Sequence, residues 1–345
     1  GTSQDDYTIS VTVRDDAGNE LSDSTTVTVF NVAPSIIFND PVQMINEGEE
    51  ALLSFAFPDP GLLDTHTVVI DWGDGREGSV ETFELNLGTN ERTFAYTYVD
   101  DSGDGAFMID ITVTDDDLGE VMASTEVVVK DVAAELVELA ATDILEHETT
   151  TLTGQIIDPG IFDTYTLTVD WGDPLSPNNV ESFEVGVGEF SFEHQYLDDN
   201  PTATPFDNYT IQVSLGEGES EEAAGMTDIR VDNVAPDNLL LPPEVVVDAD
   251  GNAELTLSFD DVGSLDSHVV TVDWGDGSES SEVVSPIGAR SATVSHIYDI
   301  PSLSSNELIV RVTVADDDGG TVVGETLATV TLRPGLSDLA ALDVD

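Results

Sequence analysis

The chain has 345 residues, 71 of them Asp or Glu against 8 Lys or Arg, so its formal net charge is −63. Such a polyanion is repelled by phosphate backbones and anionic lipid and lacks a basic stripe, which excludes nucleic-acid and membrane-surface roles. It has no cysteine, so disulfides and thiolate metal sites are excluded, and oxygen donors for hard cations are what remains.

Hydrophobic residues make up 40 % of the chain, which is ample for packed cores, so the acidity describes the surface of a folded protein rather than a disordered tail. No apolar run approaches the roughly 18 residues of a spanning helix, so no membrane insertion is expected. Residues 1–7 do not read as a signal peptide, and any export signal is expected to lie outside the chain or to have been removed.

The chain opens on Tyr7-Thr8-Ile9-Ser10-Val11-Thr12-Val13-Arg14-Asp15-Asp16, which aligns with residues 106–115. Residues 1–30 therefore read as the C-terminal half of a repeat, unable to bury its own apolar face. That half is expected either to be cut from a longer protein or to complete a neighbouring molecule's sheet. The first full repeat, 31–130, begins at Asn31-Val32-Ala33-Pro34 and carries Asp71-Trp72-Gly73-Asp74. The second, 131–232, begins at the degenerate Asp131-Val132-Ala133-Ala134 and carries Asp170-Trp171-Gly172-Asp173. The third, 233–332, begins at Asn233-Val234-Ala235-Pro236 and carries Asp273-Trp274-Gly275-Asp276; a tail, 333–345, follows. The tryptophans are thus 99 and 103 residues apart, the signature of a repeat architecture.

Within the first repeat, Leu52 to Phe57, Thr67 to Trp72, Glu81 to Leu87, Arg92 to Tyr98, Phe107 to Val113 and Val121 to Val129 alternate with period two between Gly, Asp and Pro turns. Six or seven such strands in about 100 residues predict an antiparallel β-sandwich of immunoglobulin-like type. No stretch has a sustained helical period, although Ser337 to Val344 has room for one turn of helix.

The ordered set of Trp-Gly-Asp-Gly after a strand, an aromatic-x-Tyr element (Tyr96-x-Tyr98, His194-x-Tyr196, His296-x-Tyr298), Val-Thr-Val-x-Asp and an Asn-x-Ala-Pro boundary resembles PKD domains, the polycystic-kidney-disease repeat. The resemblance covers nearly the whole chain. The second repeat departs from it, with Pro174 after Trp-Gly-Asp and Ser214-Leu215-Gly216-Glu217 in place of Val-Thr-Val-x-Asp. The resemblance implies tandem extracellular sandwiches serving as spacers, adhesion modules or accessories of secreted hydrolases, here in a rod-like array.

Immunoglobulin strand order would bring Asp59 and Asp64 to Asp115, Asp116 and Asp117, and Asp260, Asp261 and Asp266 to Asp316, Asp317 and Asp318. In the second repeat only Asp158 and Asp163 remain, with Glu217 a poor substitute. At the opposite end Asp71 and Asp74 would approach Asp100, Asp101 and Asp104, facing the next linker at Asp131. Clustered carboxylates repel by about 1 kcal/mol per close pair even in water. Ca²⁺, which takes six to eight oxygens in flexible geometry, is the expected ligand, and Asp100-Asp101-Ser102-Gly103-Asp104-Gly105 has the spacing of a calcium loop. Against this stand two other readings: solvated turns, favoured for the Trp-Gly-Asp-Gly loops, and a salt-adapted surface, to which the single lysine, Lys130, points.

Catalysis finds little support. His66 and His268 share one repeat position with Tyr165, and His194 and His296 share another with Tyr96, an alternation that indicates packing or a strand-edge hydrogen bond; His147 falls alone in a turn. There is no Gly-x-Ser-x-Gly elbow, and each tryptophan, recurring at one strand position, reads as core. The sequence therefore describes a non-catalytic extracellular or cell-surface stalk stiffened by calcium, with neighbouring repeats of the same or identical chains as partners and cell-surface or matrix polymers as further candidates. Two alternatives are a filament or lattice subunit and a polymer-binding accessory of a secreted hydrolase. Proline at the junctions fixes the chain direction, so the linker at Ala133-Ala134 is expected to be the loosest.

Overall fold

The computed structural model describes residues 2–330 apart from 40–41, 87–89, 104, 200–201, 218–219 and 304. Leu87, the tail and its expected helical turn lie outside the described residues. The described chain is almost entirely β, a tandem series of immunoglobulin-like sandwiches. By contacts it divides into two units, residues 1–135 with 157–164, and residues 136–156 with 165 onward.

The first unit opens with a hairpin, β1 (Gln4–Arg14) and β2 (Glu20–Phe30), paired along its whole length and exposed at every position. One face presents Tyr7, Ile9, Val11 and Val13, with Leu21 and Val27 opposite Val13 and Tyr7. Its turn is capped by Asp15, whose Oδ1 accepts from the Ala17 and Asn19 N–H groups, as Asp115 Oδ1 accepts from Asp117 and Gly119. That geometry pairs Tyr7 with Phe107 and Asp15 with Asp115, one residue on from the sequence alignment.

In the first repeat the strands are β3 (Ile37–Phe38), β4 (Val42–Asn46), β5 (Glu50–Ala56), β6 (His66–Asp71), β7 (Val80–Leu85), β8 (Glu91–Thr97), β9 (Phe107–Asp115) and β10 (Glu120–Lys130). They form a three-stranded sheet, β3-β5-β8, and a five-stranded sheet, β4-β10-β9-β6-β7. The first strand of the sandwich is split, β3 pairing antiparallel with β5 and β4 pairing parallel with β10. The second and third repeats show the same division. Ile144–Leu145 and Glu244–Val246 run parallel to the last strands of their own repeats, Ser220–Asp232 and Thr321–Thr329.

Alternation fills the space between the sheets. In β6, His66, Val68 and Ile70 point inward and Thr67, Val69 and Asp71 do not; in the neighbouring β9, Ile109, Ile111 and Val113 point inward beside them. Phe55, Phe57, Trp72 and Tyr98 complete this core at 0 % exposure. Removing one such large side chain from water stabilises the fold by about 1.5–3 kcal/mol, so the core carries each sandwich despite its charged exterior. Leu255, Val270, Val272, Trp274 and Val312 are the corresponding centre of the third repeat.

Candidate functional site

The Trp-Gly-Asp turns are structural in all three repeats. Trp72, Trp171 and Trp274 are buried, and the hydroxyl of Tyr98, Tyr196 or Tyr298 donates to the tryptophan's own carbonyl at 2.8, 2.7 and 3.1 Å. The alternating Tyr/His position stacks flat on the indole: Tyr96 at 5.1 Å, His194 at 4.8 Å and His296 at 4.9 Å between centroids. Its polar tip bonds the Asp of the motif, Asp74 Oδ2 at 2.7 Å, Asp173 Oδ2 at 3.2 Å and Asp276 Oδ2 at 2.8 Å. The Asp therefore does more than cap its turn, because it also locks the ring that covers the tryptophan. The glycine is required: Gly73 has φ +80°, and a Cβ there would overlap the Met108 carbonyl of β9.

The other histidines make a second kind of buried pair. His66 Nε2 lies 3.0 Å from Asp59 Oδ2 and His268 Nε2 lies 2.7 Å from Asp261 Oδ2, with the rings against Phe57 and Phe259. These pairs seat a loop on the core. His147 is exposed, in the left-handed region at φ +65°.

The Asp triplets come together much as the strand order implies. Carboxylate oxygens of Asp59, Asp64 and Asp115 lie within 4.8 Å of one another. Burial and the surrounding Asp59, Asp116, Asp117 and Asp115 push the Asp64 carboxyl above its usual range. The first Asp of each triplet has a further task. Asp115 Oδ2 accepts from Asn31 Nδ2 at 2.8 Å, and Asp316 Oδ2 from Asn233 Nδ2 at 3.2 Å, which is what the boundary asparagine does. The second Asp bridges loops: Asp116 Oδ1 accepts from Thr65 N–H and Asp317 Oδ1 from Ser267 N–H. Asp260 is not brought into this set; it is exposed and accepts from Asn238 Nδ2, while Asp261 takes the loop position.

At the opposite end the Asp100–Gly105 loop makes contacts within the chain. Asp100 pairs with Arg76, Asp101 Oδ2 caps the Gly103 N–H, and the Ser102 hydroxyl donates to the Val129 carbonyl. Asp104 lies outside the described residues.

Two glutamates that sequence reasoning did not single out close the junctions. In the first unit Glu47, 2 % exposed, accepts from the Val132 N–H at 2.9 Å through Oε1. In the second unit Glu146, 1 % exposed, accepts from the Val234 N–H at 2.8 Å in the same way. Each sits in a turn closed by the acid two residues on, since Glu49 and Glu148 cap the Asn46 and Leu145 N–H groups. The linker expected to be loosest is held by Glu47, and Ala134 is buried like Pro34 and Pro236. Backbone bonds also link successive repeats: Ile161 N–H donates to Val99 C=O in the first unit, and Ser264 N–H to Leu197 C=O in the second.

Around both glutamates gather more carboxylates. Glu47 shares a 4.8 Å cluster with Asp131 and Asp163; burial, then those neighbours and Asp158, push its carboxyl up to about 7. Glu146 meets Asp198 and Asp199, and Asp198 also meets Asp266 and Asp318, all five of them buried. Burial and the facing Asp198, Asp261 and Asp199 push Glu146 up to about 8, and burial raises Asp199, Asp266 and Asp318 as well.

No family model matches the chain, and no curated protein matches it. Among solved structures, the chain is similar to a tetra-tandem repeat in the extending region of a large adhesion protein. That likeness has 16 % identity, covers 96 % of this chain and 82 % of that one, and has a TM-score of 0.42. A 1.5-MDa bacterial ice-binding adhesin, studied for host cell surface retention, matches at 15 % identity over 88 % of this chain and 100 % of that one, with a TM-score of 0.27. The FN1–FN3 domains of chicken CNTN1 match at 10 % identity over 85 % and 98 %, with a TM-score of 0.24. No helix among the described residues is long and apolar enough to cross a membrane.

Proposed function

We propose that this chain is a non-catalytic structural segment of an extracellular or cell-surface protein, a stalk of PKD-like sandwiches that holds an adhesive part away from its base and is stiffened by calcium. The observation that carries the reading is the construction of the junctions. A buried glutamate of one repeat accepts from the second residue of the following linker, at Val132 and at Val234, and a loop–loop backbone bond stands beside each. A linker whose N–H groups are tied down by buried side chains has little freedom left, which suits a spacer rather than a hinge. The buried His–Asp pairs and tryptophans serve packing, which supports a role without catalysis. Calcium is proposed for the Asp59–Asp64–Asp115 cluster, because its loops offer closely set carboxylate oxygens.

Small-angle scattering of the full chain at fixed, high ionic strength, with chelator and then with calcium, tests the stalk. One well-defined long dimension that sharpens with calcium is expected, whereas a broad distribution of dimensions in both conditions would overturn it. A second reading, a subunit of an extracellular assembly, is favoured by one feature, the exposed apolar face of β1 and β2. Concentration-dependent sedimentation is its test.

A further inference from the structure

The two junctions solve one electrostatic problem in different ways. In the first unit, Asp100 is neutralised from within the chain: Arg76 pairs with it, and the guanidinium lies 3.9 Å from the centroid of the Phe162 ring. The motif residues align Trp72-Gly73-Asp74-Gly75-Arg76 with Trp171-Gly172-Asp173-Pro174-Leu175, and Phe162-Asp163 with Leu265-Asp266. In the second unit, then, Leu175 replaces the arginine and Leu265 its aromatic platform. Both leucines line one small pocket with Asp198, the counterpart of Asp100. Asp318 converges there with Asp198 and Asp266.

The carboxylates left there are buried and short of donors. Asp199 and Asp266 are each 0 % exposed, and no N–H or hydroxyl donor reaches either; their side-chain partners are other carboxyls, Asp318 for Asp199 and Asp198 for Asp266, while Glu146 uses Oε1 on the Val234 N–H and its buried Oε2 accepts none. What faces Asp199 is Asp318, Asp198 and Asp207, and what faces Asp266 is Glu146, Asp198 and Asp261, with a ring nitrogen of His268 within 4.8 Å. Unpaired buried carboxylates are costly unless protonated or bound to a cation. Glycine makes the space, because a Cβ on Gly263 would overlap both Asp266 Oδ2 and Glu146 Oε2.

We propose that the junction of the second and third repeats is a built site for two Ca²⁺ ions, held by Glu146, Asp198, Asp199, Asp266 and Asp318. Two triads of converging oxygens, Glu146–Asp198–Asp199 and Asp198–Asp266–Asp318, share Asp198, which bridges the ions. Five carboxylates carry five negative charges and two divalent cations carry four positive ones, so the pair nearly neutralises the site. The donors are all hard oxygens. Magnesium is disfavoured, because it dehydrates reluctantly and demands near-ideal octahedral geometry. The first junction needs no such pair at Asp100, which Arg76 serves. The inference deepens the stalk reading and rests on it only in calling the ions stiffeners.

Calcium binding to the full chain, counted by equilibrium dialysis at fixed ionic strength with magnesium as control, tests the site. The double variant Asp199→Asn, Asp266→Asn should lose two calcium equivalents relative to the parent and should lose the calcium-induced rise in Tm of the second unit. In chelator it should melt no lower than the parent, because the repulsion is gone. If that variant fails to fold, Glu146→Gln, which keeps the acceptor for Val234, decides by the same count: fewer bound ions are expected. An unchanged count and unchanged Tm response in the folded variants would overturn the site and leave the stalk reading standing. Loss of the ions with identical scattering before and after calcium would confirm the site and reject the stiffened stalk.

Discussion

Arg76 lies over the ring of Phe162, its guanidinium carbon 3.9 Å from the centroid, while the same group pairs with Asp100. Asp100 and Phe162, 62 positions apart in sequence, are thereby joined through one cation. The pair with Asp100 is about a quarter exposed (25 % and 30 %), so screening trims its value. Arg76→Leu should lower the stability of the first unit by about 1–2 kcal/mol, as read by urea unfolding. A change within experimental error would show that the stack is incidental.

The tryptophan sandwich offers a sharper test. Trp171 is buried beneath His194, which Asp173 holds at 3.2 Å. Trp171→Ala should cost about 3–5 kcal/mol. Asp173→Ala leaves the indole in place but removes the acceptor for His194 and should cost about 1–3 kcal/mol. Differential scanning calorimetry distinguishes them, and equal losses would contradict the layered arrangement.

Glycine substitutions separate backbone conformation from crowding. Gly73 and Gly75 both have positive φ, +80° and +69°, but only Gly73 has the Met108 carbonyl where a Cβ would go. Gly75→Ala should cost about 1–2 kcal/mol from the left-handed backbone alone. Gly73→Ala should cost clearly more, measured by the same denaturant midpoint.

The pH dependence of the first unit follows from Glu47. Its carboxyl is raised from 4.5 to about 7 by burial and by Asp163, Asp158 and Asp131, so the folded state favours the protonated form. A raised pKa contributes stability that is fully present below the unfolded value and is lost as pH rises through the folded one. In chelator, stability should therefore fall between about pH 4.5 and pH 7. Glu47→Gln, which keeps the oxygen that serves Val132, should flatten that fall, and a pH series of thermal melts reports it.

What could be read from the sequence and what could not differ in range. The Trp-Gly-Asp period, the alternating strands and the Asp triplets are local patterns, and the core around Trp72 follows them residue by residue. Glu47 and Glu146 escaped because each acts on a backbone N–H 85 or 88 positions ahead, while locally Glu-Gly-Glu and Glu-His-Glu look like ordinary turns. A signal was present: Arg76 gives way to Leu175 at equivalent positions, so one repeat loses a cation from a chain that has few. The Arg76–Asp100 pair was out of reach for the same reason, since the spacing around Asp100 says nothing about an arginine 24 residues earlier.

The split first strand has a mechanical meaning. Because β4 runs parallel to β10, a pull on the two ends of the first repeat slides these strands past each other. All of their evenly spaced hydrogen bonds then resist together, instead of opening one at a time. Five residue pairs stand in that register in the first repeat, Val42 with Glu126 through Asn46 with Lys130. The third repeat has three, and the second has two, Ile144 with Val231 and Leu145 with Asp232. Under tension the second repeat should shear open first, lengthening the chain while its neighbours stay folded.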